Sequence, residues 1–331
     1  MVELNKAIKN IIKYKYSNTD KDFINIGYGI DDNYARCMAA SIASFCINNK
    51  NKKFNFHILG LDLSDDTKEK LKILAKMFKI NINIYEIEKE FFTIFPSDNV
   101  YTLPIYFRLI LASIMDNIEK IFYVDSDIIC LHNAEKFFDI DLENNIIAAI
   151  KDSEEMNEVR NKDLGLKNHK YFNSGVLIIN PKAWNDDNIN EKFIDLIENN
   201  KIHLAYPDQD ILNYLLTGKV KYIDKIYNYI DVKNVTENNN KDIILLHFAA
   251  YPKPWHWGWE ICEICNDFNR NIYKFYQDYT PWKDFPAEKP YNARMVRSYI
   301  KALLYDKQYL KIIPWVIKYF RLKNKKSLGG I

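Results

Sequence analysis

The stretch Phe23-Ile24-Asn25-Ile26-Gly27-Tyr28-Gly29-Ile30 runs straight into Asp31-Asp32-Asn33, and an Ala-, Ile- and Met-containing segment over 34–45 follows. β-Branched and aromatic residues make the first part a strand, the acidic trio a turn, and the third part a helix. Working outward, 54–60 reads as a second strand, 64–78 as a helix capped by Ser64 with Lys/Glu pairs on its outer face, and 80–87 as a third strand. Such alternation predicts an α/β domain around a largely parallel sheet, with its binding crevice beyond the carboxyl ends of the strands. Later strands are expected at 146–150, 174–180 and 243–248, and helices at 191–199 and 209–216. The expected organisation is an N-terminal extension over 1–22, one α/β domain over 23–266, and a basic, aromatic helical extension over 267–331.

With 331 residues, 48% of them hydrophobic, the chain can bury a large core and is too apolar for wholesale disorder. No apolar run approaches the ~18 residues that cross a bilayer, and the first residues lack the apolar centre of a signal peptide. A cytoplasmic protein is expected. Cys37, Cys46, Cys130, Cys262 and Cys265 are odd in number and mostly set in apolar segments, the pattern of free thiols in a reducing compartment. Cys262-x-x-Cys265 has no second pair with which to hold zinc. The net charge of +2 conceals an asymmetry, since over 289–331 eleven Lys and Arg face one acid, Asp306, leaving 35 basic and 43 acidic residues before them. A basic tail on an acidic body calls for an anionic partner of the tail and argues against nucleic acid.

Gly27-x-Gly29 lacks the third glycine of a dinucleotide fingerprint, and Asp31-Asp32 fills the place where a pyrophosphate would approach a helix N-terminus, which excludes a Rossmann dehydrogenase. A nucleotidyltransferase would carry a Gly-rich phosphate loop near the N-terminus, which this chain lacks. Asp31 instead suits a ribose or base, with Asn33 donating and Tyr34 offering a ring for stacking; an Asx turn with a helix cap explains the same residues equally well. Further on, Ile121-Phe122-Tyr123-Val124 ends in Asp125-Ser126-Asp127. Side chains two apart in a strand share a face, so Asp125 and Asp127 can converge on one Mg²⁺ or Mn²⁺ while Ser126 turns away; a capped turn is the alternative. His247 closes the apolar run over 243–246, where a neutral imidazole suits a third ligand or a structural role, and Lys253 offers a mobile charge to a phosphate.

In their order these motifs resemble glycosyltransferase family 8, retaining enzymes that include lipopolysaccharide α-galactosyl- and α-glucosyltransferases and glycogenin. The resemblance spans about 24–260. It rests on Gly29-Ile30-Asp31-Asp32-Asn33-Tyr34, Tyr106-Phe107-Arg108, Phe122-Tyr123-Val124-Asp125-Ser126-Asp127, Ala149-Ile150-Lys151-Asp152, Tyr171-Phe172-Asn173-Ser174-Gly175, Asp208-Gln209-Asp210, and the segment from His247 to Trp255. It implies a single GT-A-type, Rossmann-like nucleotide-sugar domain with a mainly parallel mixed sheet. It also implies Mn²⁺ (with Mg²⁺ as the alternative ion) on Asp125, Asp127 and His247, and transfer of glucose or galactose from a UDP-sugar to a glycan or glycolipid.

By the same resemblance Gly29, Ile30, Asp31, Asn33, Tyr34, Ser126, Ala250 and Lys253 serve the nucleotide. Arg108 and Asn173 line the donor-sugar pocket, with Asp152, Asp208 and Gln209 as the catalytic set. Structural alternatives stand beside three of them: Arg108 snorkelling from a helix, Asn173 in a turn, and Asp208 capping a helix. Lys151 competes with Asp152 for its place. The family usually has Gly where Ala250 stands, so a catalytically impaired nucleotide-sugar- or glycan-binding module is the competing function. Because the amide of Gln209 attacks poorly, front-face attack by the acceptor hydroxyl is favoured over a covalent route through Asp208 or Asp152.

In the tail, Val296, Tyr299, Ile300, Leu303 and Leu304 make a helical stripe flanked by Arg297 and Lys301, and Trp315, Tyr319 and Phe320 lie among further cations. This composition suits insertion into an anionic membrane surface, peripheral on its inner face; a helix packed on the body is the alternative. No site residue is expected beyond Trp255.

Overall fold

The computed structural model describes residues 4–16, 22–96, 102–115, 117–167, 169–199 and 202–328. Its strands are β1 (Ile8–Tyr14), β2 (Phe23–Asp31), β3 (Lys53–Leu61), β4 (Asn81–Ile87), β5 (Ile121–Val124), β6 (Ile128–Cys130), β7 (Ile147–Lys151), β8 (Phe172–Ile179), β9 (Val220–Tyr222) and β10 (Leu245–His247). The helices that bear on the site are α1 (Ala35–Asn48), α2 (Asp65–Phe78), α3 (Phe107–Leu111), α4 (Pro207–Leu215), α5 (Asp267–Asp278), α6 (Ala293–Tyr305) and α7 (Ile312–Leu328). Eight strands form one sheet in the order β1-β4-β3-β2-β5-β8-β7-β9, and β10 pairs with β6 in a small second sheet.

The expected mixed, mainly parallel sheet is the one observed. β2 pairs in parallel with β3 and β5, and β3 with β4, as alternation with helices requires. Ser64 caps α2 as expected, accepting from the Thr67 amide. Two reversals break the pattern. β1 runs antiparallel to β4, so Ile8–Tyr14, within the stretch set apart in the sequence as an extension, is the outer strand. β8 runs antiparallel to both β5 and β7, opposing Val124 to Val176. That second reversal positions the site, because it brings the start of β8 beside the end of β5, where the Asp125 amide donates to the Gly175 carbonyl at 2.8 Å.

Apolar layers cover both faces of the sheet. Ile26, Tyr28, Phe54, Phe56 and Ile58 pack with Met38, Ile42, Leu71 and Leu74 from α1 and α2. On the other face Leu59, Tyr123 and Leu177 pack with Phe107, Leu111 and Leu212. Gly29 is there for proximity: a Cβ would lie 2.7 Å from the Pro104 carbonyl oxygen, blocking the segment that leads into α3. A third apolar cluster joins Phe248, Trp255 and Trp259 to Phe268, Tyr273 and Tyr276 of α5, which packs along α1.

The stripe read in α6 turns inward, with Val296 and Leu303 buried and Leu304 exposed. α7 lies against α6 through Trp315, whose ring meets Tyr299 edge-on at 4.9 Å and Trp257 at 6.1 Å. Trp315 is therefore a packing residue, contrary to the expectation that it inserts into lipid. Leu310, Ile313, Ile317 and Phe320 remain exposed. Among the described residues no helix is long and apolar enough to cross a membrane.

Candidate active site

A cavity of about 280 Å³ opens beyond the carboxyl ends of β2 and β5. Asp125 and Asp127 enter it from the turn after β5, which is clamped when the Phe248 amide donates to the Asp127 carbonyl at 3.0 Å. Pairing of β10 with β6 sets His247 opposite Ile128 and so beside both carboxylates, with Nε2 3.2 Å from Asp127 and 3.8 Å from Asp125. One ligand atom from each of the three lies within 4.8 Å of the others. Two carboxylates and an imidazole suit Mn²⁺ or Mg²⁺. Gly175 keeps the space clear, since a Cβ there would sit 2.6 Å from His247 Cε1 and 2.9 Å from Asp125 Oδ2.

The tautomer of His247 follows from a residue the sequence did not suggest. Asn228 places Oδ1 2.8 Å from His247 Nδ1, and its own amide nitrogen donates to Asn173 Oδ1 at 2.8 Å. Because the Asn228 oxygen can only accept, Nδ1 carries the proton and the Nε2 lone pair faces the carboxylates, as a metal ligand requires. Asn173 continues the chain to Asp152, which also accepts from Gln209 Nε2 at 3.1 Å. A single amide network thus joins the candidate metal ligand to the expected catalytic set.

Arg108 is buried rather than snorkelling. It donates to Asp125 at 2.8 Å, pairs with Asp208 at 3.1 Å, contacts the Ser174 carbonyl at 2.6 Å and lies over the Tyr123 ring at 4.5 Å. Burial works to discharge it, yet Asp125 and Asp208 keep its pKa above the ordinary arginine value. Asp208 sits in the first turn of α4 without capping it, taken up by Arg108 and by the Ser174 hydroxyl at 2.9 Å. Gln209 accepts from the Ser174 amide at 3.0 Å, so both ends of its amide are fixed.

Burial raises the Asp125 carboxyl above its usual range against the pull of Arg108. Burial pushes Asp127 the same way, but Lys253 and His247 hold it well below the usual carboxylate range. Lys253 is only 4% exposed and is not the mobile charge expected: its ammonium donates to Asp127 at 2.6 Å and to the carbonyls of Phe248 at 2.6 Å and Ala249 at 3.0 Å.

On the nucleotide side Gly29, Ile30, Tyr34 and Ser126 line the cavity, whereas Asp31, Asn33, Asp152 and Ala250 stand just outside its lining. Asp31 accepts from the Asn33 and Tyr34 amides at 3.0 and 3.3 Å, the Asx-turn cap that was the alternative reading. Burial raises its pKa, partly offset by those bonds. Tyr34 and Tyr251 join hydroxyls at 3.1 Å. Tyr206 and Arg294 also line the cavity, so one cavity-lining residue comes from beyond Trp255. A regularly basic helix gave no sign of which of its cations turns inward.

Acidic and imidazole donors gathered for one cation thus face amides and carboxylates across a cavity at the carboxyl ends of a mixed sheet. The model of the family described as Glycosyl transferase family 8 matches residues 25–258. The chain is 32% identical over 337 residues to a lipopolysaccharide 1,2-glucosyltransferase of Escherichia coli, covering 96% of this chain and 97% of that protein. It is 27% identical over 332 residues to a lipopolysaccharide 1,3-galactosyltransferase of Salmonella typhimurium, covering 96% and 97% respectively. A solved structure of galactosyltransferase LgtC in complex with donor and acceptor sugar analogs superposes with a TM-score of 0.67 at 24% identity, covering 78% of this chain and 96% of that one. The fold is of that GT-A-like type, and the chain belongs to glycosyltransferase family 8.

Proposed function

We propose that the chain transfers glucose or galactose from a UDP-sugar to a saccharide of a lipopolysaccharide-type glycolipid, with retention at the anomeric carbon and dependence on Mn²⁺. One observation carries the reading: Asp125, Asp127 and His247 face Asp208, Gln209 and the Asp152 network across a single cavity. The acceptor class is supported by relatives named as lipopolysaccharide glucosyl- and galactosyltransferases that match over nearly their whole lengths.

Asp125, Asp127 and His247 would hold the ion, which when bound offsets the negative charge of a diphosphate. The acceptor oxygen bonds to the anomeric carbon as the bond from that carbon to the diphosphate oxygen breaks, and the acceptor's proton passes to the departing diphosphate. Gln209 is fixed by Asp152 and Ser174 beside the reacting centre, where its dipole steadies developing positive charge. Arg108 and Ser174 both hold Oδ2 of Asp208, which weakens that carboxylate as a nucleophile and favours the front-face route. A panel of UDP-sugars with Mn²⁺ and a lipopolysaccharide core acceptor, read by product mass and anomeric configuration, tests the reading. Transfer from no UDP-hexose, or an inverted product, defeats it.

We further place the chain peripherally on the inner membrane face. Support comes from Leu310, Ile313, Ile317 and Phe320, exposed on one side of the tail among Lys307, Lys311, Arg321 and Lys323. Each well-placed cation contributes about 1 kcal/mol toward an anionic surface. Ile313→Glu with Ile317→Glu should release the protein from anionic vesicles; undiminished sedimentation with them excludes this face.

A further inference from the structure

Three strong cations line the cavity, and two of them are committed. Arg108 is shared between Asp125 and Asp208, and Lys253 is fixed by Asp127 and two carbonyls. Arg294, the third, enters from the first turn of α6 and has no hydrogen bond or ion pair among the described residues. Its guanidinium lies over the Tyr251 ring, 4.0 Å from the centroid, and Lys253 Nζ lies 5.0 Å from the same centroid. Tyr251 in turn bonds to Tyr34, the ring expected to meet the base. Two cations thus converge on one ring while a single carboxylate balances them, an arrangement that favours an anion between them.

We propose that Arg294 is a ligand of the donor's diphosphate, supplied by a helix outside the span 25–258 that the family model covers. The inference rests on the proposed UDP-sugar donor and adds the charge partner at the cavity mouth. A planar fork of donors pre-oriented by stacking suits two oxygens of a diphosphate better than the compact ammonium of Lys253. The helix that brings it is held in place: Asn292 caps α6 by accepting from the Met295 amide at 2.9 Å, and Lys318 of α7 donates to the Pro290 carbonyl at 2.5 Å. The tail is then part of the donor site.

Calorimetric binding of UDP, UMP and uridine in the presence of Mn²⁺, to the native chain, Arg294→Ala and Arg294→Lys, tests the assignment. The alanine variant should lose about tenfold in UDP affinity, less for UMP and nothing for uridine, with lysine restoring part of the loss. Equal losses for all three ligands would make Arg294 a prop for Tyr251 and overturn the proposal, as would unchanged UDP binding with a raised KM for the acceptor. A native chain that binds no UDP would defeat the donor reading itself, a result distinct from a native chain that binds UDP and a variant that binds it equally well.

Discussion

At the floor of the cavity Asp125, Asp127 and Asp208 each meet a buried cation, whereas at the mouth Asp31 is spent on its own turn and Arg294 stacks on a ring with no charge partner among the described residues. Two buried cations offset most of the floor's three carboxylates before any ligand arrives, leaving one negative charge for an ion to meet. An ion seated there must share its oxygens with Arg108 and Lys253. The mouth has few internal bonds to give up, so a ligand there only adds interactions. The floor should therefore govern stability and turnover together, and the mouth should govern affinity alone.

The hardest test of that contrast is Asp127→Asn, which keeps the shape of the floor and removes its most strongly ionised carboxylate. Transfer should fall by about 10³-fold or more, with Mn²⁺ binding lost in an electron-spin-resonance titration. Full activity in the presence of chelator would erase the distinction. Next comes a paired measurement of unfolding. Arg108→Leu strands Asp125 and Asp208 and should cost about 3–5 kcal/mol, while Asp31→Asn at the mouth should cost about 1 kcal/mol or less. Comparable losses would show the mouth to be braced as well.

Asn228→Ala sharpens the floor's side of the comparison. It frees the His247 tautomer and should weaken Mn²⁺ about 10- to 100-fold, and Asn228→Asp, which keeps an acceptor, should recover most of that. Unaltered Mn²⁺ affinity in the alanine variant would deny the tautomer any role.

The smallest effect is expected at Glu288, which flanks the mouth 3.9 Å from Arg36 and 3.7 Å from His256. Burial, and secondarily Asp31, push its carboxyl up to about 7 against the pull of Arg36, while burial and the cations nearby hold His256 down at about 3 and so neutral. Between its ordinary value near 4.5 and about 7, the native state keeps a proton that the unfolded chain releases, so this contribution to stability is lost as pH rises through that window. Glu288→Gln removes the loss and should melt about 2 °C above the native chain at pH 8, with no gain at pH 4.5. A gain independent of pH would point to packing instead.

Much of the floor was legible from residue type and spacing. Asp125 and Asp127 lie two apart at the end of an apolar run, and extended backbone alone turns them to one side. The partner of Lys253 was not legible, because Asp127 reaches it only through antiparallel pairing of two short strands more than a hundred residues apart. Nor does the sequence of β8 reveal its direction, yet that direction brings Asn173 and Ser174 to the site. Asn228 sits in a short connection between Tyr227 and Tyr229, and Arg294 is one of three cations on its helix; only the fold singles them out. β1 escaped notice because its lysines interrupt the apolar pattern.

Those lysines have a consequence far from the cavity. An outer strand leaves one row of backbone donors and acceptors open to any extended segment that drifts alongside, including the same strand of another molecule. On β1 that row is flanked by Lys9 and Lys13, both exposed, while the opposite margin of the sheet ends in the three residues of β9. A chain shortened to start at Phe23 would instead present β4, whose residues are nearly all buried in the intact molecule. Such a chain would retain every side chain assigned to the site and yet be prone to clump, so the protein's colloidal behaviour is governed by seven residues that lie outside the cavity.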